Sequence, residues 1–190
     1  MNTKKLFALL AGSAFIVNAA FMSMAYAQMS TSGEVGVDGG GLSVNSASAL
    51  EAFGSVDVAT VDQYIEDYVF GNSVEFEDTR DSGAAYTLSV YASDFADGYT
   101  ITVDNFSMGA DSINDVSGGI HDCSTGFTLA PVTTFVDSDL DGVSDPQALV
   151  DTDGTQDTIT HCEVYPVVDL TIPAYTPIGG YQSTITFTFI

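Results

Sequence analysis

The chain has 190 residues, 45% of them apolar, and a formal net charge of −23 from 26 Asp and Glu against 3 Lys and Arg. That length suits one domain, and the apolar share is enough for a real core, which excludes a globally disordered chain. A surface this acidic repels phosphate backbones and anionic lipid headgroups and has almost nothing to clamp a phosphorylated substrate. Nucleic-acid binding and nucleotide chemistry are therefore excluded.

Lys4 and Lys5 stand before a mostly apolar run over residues 6–24, and Ala25-Tyr26-Ala27 supplies small residues at the two positions a signal peptidase reads. The pattern predicts a signal peptide over residues 1–27, cleaved before Gln28, and hence a secreted, cell-surface protein. A retained anchor is the alternative, since about 20 apolar residues can span a bilayer. Gly12, Ser13, Asn18 and Ser23 dilute the run, and no basic stop-transfer cluster follows it. No later segment is long and apolar enough to cross a membrane, and after cleavage Arg80 is the sole Lys or Arg.

Residues 28–48 open on a Gly/Ser-rich stretch (30–41) and are expected to form a flexible N-terminal segment ahead of one domain over 49–190. Residues 59–69 suit a short helix or a strand, and Val61, Tyr64, Ile65, Tyr68, Val69 and Phe70 favour the strand. In residues 85–92, Tyr86, Leu88 and Val90 alternate with Thr87, Ser89 and Tyr91; residues 99–105 alternate likewise. The clearest case is 181–190, where Ile185, Phe187 and Phe189 alternate with Thr184, Thr186 and Thr188. Period two between turn residues marks half-buried antiparallel strands. The fold expected is all-β: an antiparallel β-sandwich with an acidic, disulfide-bounded loop insertion over 123–162.

Cys123 and Cys162 are the only cysteines. Outside the cytoplasm such a pair is expected to form a bridge, with a nominal stabilisation of about 4 kcal/mol on the chain-entropy view. The sharper alternative is zinc, because His121 and His161 lie beside the two cysteines. Against it, the CxxC and HxxxH spacings of structural zinc sites are missing, and adjacent His-Cys ligands fit one tetrahedron poorly. A Cys-His nucleophilic pair is a third reading, with nothing catalytic around it.

Residues 137–157 depart from the strand pattern, with Asp at 137, 139, 141, 145, 151, 153 and 157. The first part reads DxDxDGxxD. Hard cations need several oxygens at once, and alternate Asp side chains on a tight loop converge on one point. Calcium ligands are expected from Asp137, Asp139, Asp141, the carbonyl of Val143, and Asp145. An EF-hand loop would close on Glu at 148, where Ala148 stands, so Asp151 or Asp153 is expected to fold back instead. The plain alternative is an acidic, solvated loop.

The segment Phe76-Glu-Asp78-Thr-Arg80-Asp-Ser-Gly83-Ala-Ala-Tyr86-Thr-Leu88, continuing to Asp94-Phe95, resembles the core of the WxL-domain surface proteins, with their Asp-Thr-Arg run, Trp-x-Leu and "sxxDF" stretch. The ending, with Ile172-Pro173, Gly180-Tyr181 and Ile185-Thr-Phe187-Thr-Phe189, is similar to that family's last two strands. The resemblance covers roughly residues 49–190 and omits the insert between the cysteines. The chain has no Trp, and Tyr86-Thr87-Leu88 and Phe187-Thr188-Phe189 stand in the two motif positions. The resemblance implies an exported β-sandwich held non-covalently on the bacterial cell wall, through peptidoglycan or another wall polymer. Tyr86, Leu88, Phe187 and Phe189 are then the wall-binding motif positions.

From the residues themselves, Arg80 is expected to pair with Asp78 or Asp94 as a structural fork, the alternative being a ligand-anchoring arginine. Tyr91, Tyr175 and Tyr181 are candidate sugar-stacking groups. The function expected is a non-enzymatic surface protein with a calcium-stabilised loop. The alternative is a self-assembling subunit of a surface layer or filament, binding itself or other surface proteins through the edge left by the strand ending at Ile190. A glycosidase has weaker support, because no spacing singles out a carboxylate pair.

Overall fold

The structure, a computed structural model, describes residues 35–37, 40–47, 51–80, 83–116, 123–155 and 159–190. The signal peptide expected over 1–27 lies outside them, as do His121 and Asp157. In chain order the strands are β1 (Val35–Val37), β2 (Gly40–Ser46), β3 (Gln63–Val69), β4 (Val74–Asp78), β5 (Thr87–Ala92), β6 (Phe95–Ala96), β7 (Thr100–Ile101), β8 (Phe106–Asp115), β9 (Phe127–Leu129), β10 (Thr133–Thr134), β11 (Gln147–Thr152), β12 (Thr160–Ile172) and β13 (Ile185–Phe189). One sheet runs β1-β2-β4-β12-β8-β10, with β3 also on β12; a second runs β13-β5-β11-β9; β6 and β7 form a small hairpin. Every described pairing between these strands is antiparallel.

The long strand β12 organises the larger sheet. Its side chains alternate between buried and half-buried from Thr160 to Leu170, as a strand with one face on a core must. On one side it pairs with β8, and on the other with β4 up to Val164 and with β3 from Val167. Pro166 sits at that change of partner, where a missing N–H breaks no ladder bond. Its carbonyl accepts from Phe70 N at 2.9 Å. On the opposite strand, a Cβ at Gly109 would lie 2.5 Å from Val132 N, so only glycine lets the chain at 131–132 cross there.

Among the described residues Phe76, Phe106, Phe135, Leu88, Met108 and Leu149 are the largest fully buried side chains; all but Phe135, which follows β10, come from strands of the two sheets. Phe106 meets Phe95 edge-on at 5.1 Å and Phe135 at 5.3 Å. The described residues thus form an all-β, sandwich-like fold around an aromatic core.

Several expectations change in detail. Residues 40–46, read as loose, form β2 on β4, with Leu42 in the core. Residues 99–105 give only the two-residue β7 and then a 3-10 turn over Val103–Asn105, because the Asp94 carboxylate accepts from Val103 N at 2.8 Å and turns the chain. The segment between the cysteines carries the acidic loop and also supplies β9, β10 and β11, so it is woven into both sheets. Cys123 and Cys162 are disulfide-bonded with their Cα atoms 5.9 Å apart, which removes the zinc and thiol-nucleophile readings. Neighbouring residues on a strand also face opposite ways: Cys162 is buried, while His161 points outward to within 3.8 Å of the Glu75 carboxylate.

Candidate functional site

The Asp-Thr-Arg run ends β4 and places Arg80 beside the buried Asp78. Arg80 Nε and Nη2 donate to the two Asp78 oxygens at 3.0 and 2.9 Å, and Nη2 also donates to the Ala84 carbonyl at 2.7 Å. This is the fork expected; Asp94 takes no part in it. The guanidinium centre lies 5.3 Å from the Tyr86 ring centroid. The hydrogen bond to Asp78 raises the Arg80 pKa further. Burial pushes the Tyr86 phenol up to about 12, against the opposing pull of the Thr160 hydroxyl.

Tyr86, Leu88 and Phe187 are buried at 5%, 0% and 4% exposure. Phe189 is half-buried, with its ring 5.5 Å from Tyr86 and 6.3 Å from Phe76. Three of the four motif positions are therefore packed into the core, and Phe189 is partly so.

The acidic loop is built around Asp137. Its Oδ1 accepts from Leu140 N at 2.8 Å and Asp141 N at 3.3 Å, and its Oδ2 accepts from Gly142 N at 2.9 Å. The chain turns through left-handed conformations at Leu140 (φ 61°) and Gly142 (φ 84°). Among the described residues, the carboxylates of Asp137, Asp139 and Asp141 come within 4.8 Å of one another. Partial desolvation raises Asp137, but the amides of Gly142, Leu140 and Asp141 outweigh it and hold its pKa below the ordinary carboxylate value. The negative charge of Asp141 is the main cause of a raised pKa at Asp139. Three convergent, mutually repelling carboxylates are a donor set that fits a hard dication.

The other expected ligands do not join them. Asp151 accepts from Thr87 Oγ1 at 2.6 Å across the β5–β11 pair. Asp153 accepts from the Thr155 amide and hydroxyl at 2.8 and 2.6 Å in its own turn. Asp145 is exposed, and its amide is bonded to the Val136 carbonyl. Val143 lies beside the cluster, bridged to Ser93.

The loop is fixed to a second feature that the sequence did not reveal. Asp94 N donates to the Gly142 carbonyl at 2.8 Å, and Ser93 and Asp94 line a cleft of about 940 Å³ at one end of the sandwich. Its walls are residues 51–59, which form no regular strand, and Pro173 with residues 176–185, the segment that leads into β13. Phe53 anchors the first wall in the aromatic core, 5.4 Å from Tyr68 and 5.8 Å from Phe106. Glu51 secures its start through Gly71 N and Asn72 Nδ2. The second wall is held by Gly180 N on the Asp97 carboxylate at 2.6 Å and by Tyr181 Oη on the Pro177 carbonyl at 2.8 Å.

The cleft's lining is mostly apolar, and among the described residues its charged members are Glu51, Asp57 and Asp94. Large apolar side chains in and beside this lining are open: Ile178 is 92% exposed, Val58 58%, and Tyr175, bonded to the lining residue Ala59, 72%. Tyr175 is held in a left-handed conformation (φ 63°) with its amide on the Ala59 carbonyl. Of the tyrosines expected to stack on sugars, Tyr175 and Tyr181 lie at this end; Tyr91 is a half-buried residue on the outward side of β5. The signal available in the sequence was the apolar character of Val56, Val58 and Ile178 within irregular stretches, which alternation does not detect.

No protein-family model, no curated protein and no solved structure matches the chain. The likeness to WxL-domain proteins therefore rests on the residues quoted above. Among the described residues, no helix is long and apolar enough to cross a membrane.

Proposed function

We propose that the protein is an exported, non-enzymatic component of the bacterial envelope that holds the uncharged sugar backbone of a wall polymer, peptidoglycan or a similar glycan, in the cleft at the end of the sandwich. The observation that carries this reading is a cleft of ligand size, about 940 Å³, whose described lining residues include no Lys, Arg or His and which is edged by the exposed Tyr175 and Ile178. Without a cation, the site favours uncharged sugars stacked on aromatic faces over anions. Calcium held by Asp137, Asp139 and Asp141 would offset most of their charge and stiffen the Ser93–Asp94 wall to which Gly142 is bonded.

The test is co-sedimentation of the purified protein with isolated cell-wall sacculi, in calcium or in chelator, beside protein spun alone. Pelleting with sacculi, weakened by chelator, is the expected result. Protein that stays in the supernatant with sacculi, or that pellets equally without them, overturns wall attachment.

A further inference from the structure

The smaller sheet ends on β13, and the direction of its backbone groups follows from three hydrogen bonds. Thr87 and Ile190 exchange N–H···O bonds at 3.2 and 3.1 Å, and Ser93 N donates to the Thr184 carbonyl at 2.9 Å. In an antiparallel pair such bonded positions recur every second residue. With Thr186 opposite Tyr91 and Thr188 opposite Ser89, the even positions bond to β5. The N–H and C=O groups of Ile185, Phe187 and Phe189 therefore point to the open edge. Among the described residues no further strand takes these groups, since β13 ends the β13-β5-β11-β9 order.

Open edges are normally blunted by brevity, charge, proline or a bulge. The other described edges are blunted. β1 and β9 have three residues each, and β10 has two, just after Pro131. β3 carries Glu66 and a left-handed Asp67 (φ 53°) whose amide is taken by Asp169. β13 has five residues in unbroken register with β5, no proline, and no Asp, Glu, Lys, Arg or His anywhere over 170–190. In a chain of net charge −23, it is an edge that two copies can bring together without opposing side-chain charges.

We infer that β13 pairs antiparallel with β13 of a second copy across a two-fold axis at Phe187, joining two four-stranded sheets into one. Phe187 then faces its own counterpart, Ile185 faces Phe189, and every outward N–H and C=O of the three residues finds a partner. Such an interface is isologous and closes at two copies, so it gives a dimer and not a filament. A contact confined to one short strand is smaller than the ~1,000 Å² of a stable interface. Repulsion between two acidic bodies opposes it further, so dimerisation strengthens with salt. This inference is independent of the cleft and its ligand.

The experiment is sedimentation velocity of the full chain over a range of concentrations at low and high sodium chloride, with amide hydrogen exchange under the same conditions. The expected result is a monomer–dimer equilibrium favoured by salt, with exchange at Ile185, Phe187 and Phe189 slowed tenfold or more as the dimer forms. Thr188→Glu, which sets a charge beside the seam on each copy, should keep the chain monomeric, while Thr133→Glu on β10 should not. A monomer under every condition overturns the inference, as does association that leaves those three amides unchanged. Amides already protected in the dilute monomer overturn it too, because the edge is then covered by the chain itself. Assembly beyond two copies contradicts the two-fold geometry. Should Thr188→Glu fail to fold, exchange in the unaltered chain still decides.

Discussion

Asp94 N donates to the Gly142 carbonyl at 2.8 Å, while the Asp94 carboxylate accepts from Val103 N at 2.8 Å. One residue thus ties the aspartate loop to the wall of the cleft and also sets the turn after β7. Asp94→Ala leaves the amide of the fully buried Val103 without its acceptor, at a cost of about 1–3 kcal/mol in chemical denaturation. Asp94→Asn keeps one acceptor oxygen and should cost less. A cost for Asp94→Ala no larger than for Asp94→Asn would show that the Val103 bond does not hold this turn.

Calcium and the loop carboxylates make opposite predictions for two neighbours. The Asp137 pKa is lowered on folding, so it contributes stability that is present above the unfolded carboxylate value and lost as pH falls below it. Asp137→Asn, which cannot accept all three amides as an anion does, should therefore destabilise. The Asp139 pKa is raised, chiefly by Asp141, so its ionisation opposes folding, and this penalty disappears as pH falls. Asp139→Asn should leave the calcium-free protein unchanged or slightly more stable. Both substitutions should abolish a calcium-induced rise in Tm, read by calorimetry with and without chelator. A rise that survives both would remove calcium from this loop.

The strands that were legible in the sequence are those whose two faces differ in residue type. β5 and β13 alternate large apolar groups with Thr and Ser, so period two is visible and their core residues follow. β8 was opaque because FSMGADSIND is rich in small and polar residues that suit turns, and only Gly109's close contact with residues 131–132 explains one of them. β12 alternates well, but its His161-Cys162 step also admits metal or nucleophile chemistry, and Pro166 interrupts its run of strand formers. The Asp137–Asp141 cluster was legible from spacing, since alternate residues on one loop are close whatever the fold. The cleft was not, because it joins residues 51–59 to Pro173 and residues 176–185 through tertiary packing alone.

Tyr175 offers a test in which stability and binding move in opposite directions. Its left-handed backbone (φ 63°) costs a non-glycine residue about 1–2 kcal/mol. Its exposed side chain contributes little packing in return. Tyr175→Gly should raise stability by up to about 1 kcal/mol, since glycine's freedom in the unfolded chain offsets part of the relief. It should also reduce pelleting with sacculi. Ile178→Asp should weaken the same binding at unchanged Tm. Binding indifferent to both changes would move the contact away from this end of the sandwich.

Arg80 should be among the most sensitive positions outside the core. Arg80→Met leaves the Asp78 carboxylate, only 1% exposed, without its fork. Breaking one side of a buried pair costs about 3–5 kcal/mol, far more than an exposed pair. Arg80→Lys keeps the charge but not the two parallel bonds, and should recover only part of the loss in urea denaturation. Full recovery with Lys would mean that charge alone, and not the fork, is what Asp78 requires.

Tyr86 predicts the behaviour of the protein in alkali. Its phenol is pushed to about 12 by burial, above the ordinary value of about 10 for an unfolded chain. Between those values the folded state binds the proton more tightly, so stability falls as pH rises through this window, by up to about 1.4 kcal/mol per pH unit. Tyr86→Phe removes the titrating group and should flatten that part of the stability profile. The Tyr86 hydroxyl has no hydrogen bond of good geometry, so the same substitution should be neutral or mildly stabilising at pH 7. The ring beneath the Arg80 guanidinium is retained. Urea titrations of both proteins from pH 7 to 11.5 give the comparison, and an identical alkaline slope in the two would assign the loss of stability to other tyrosines.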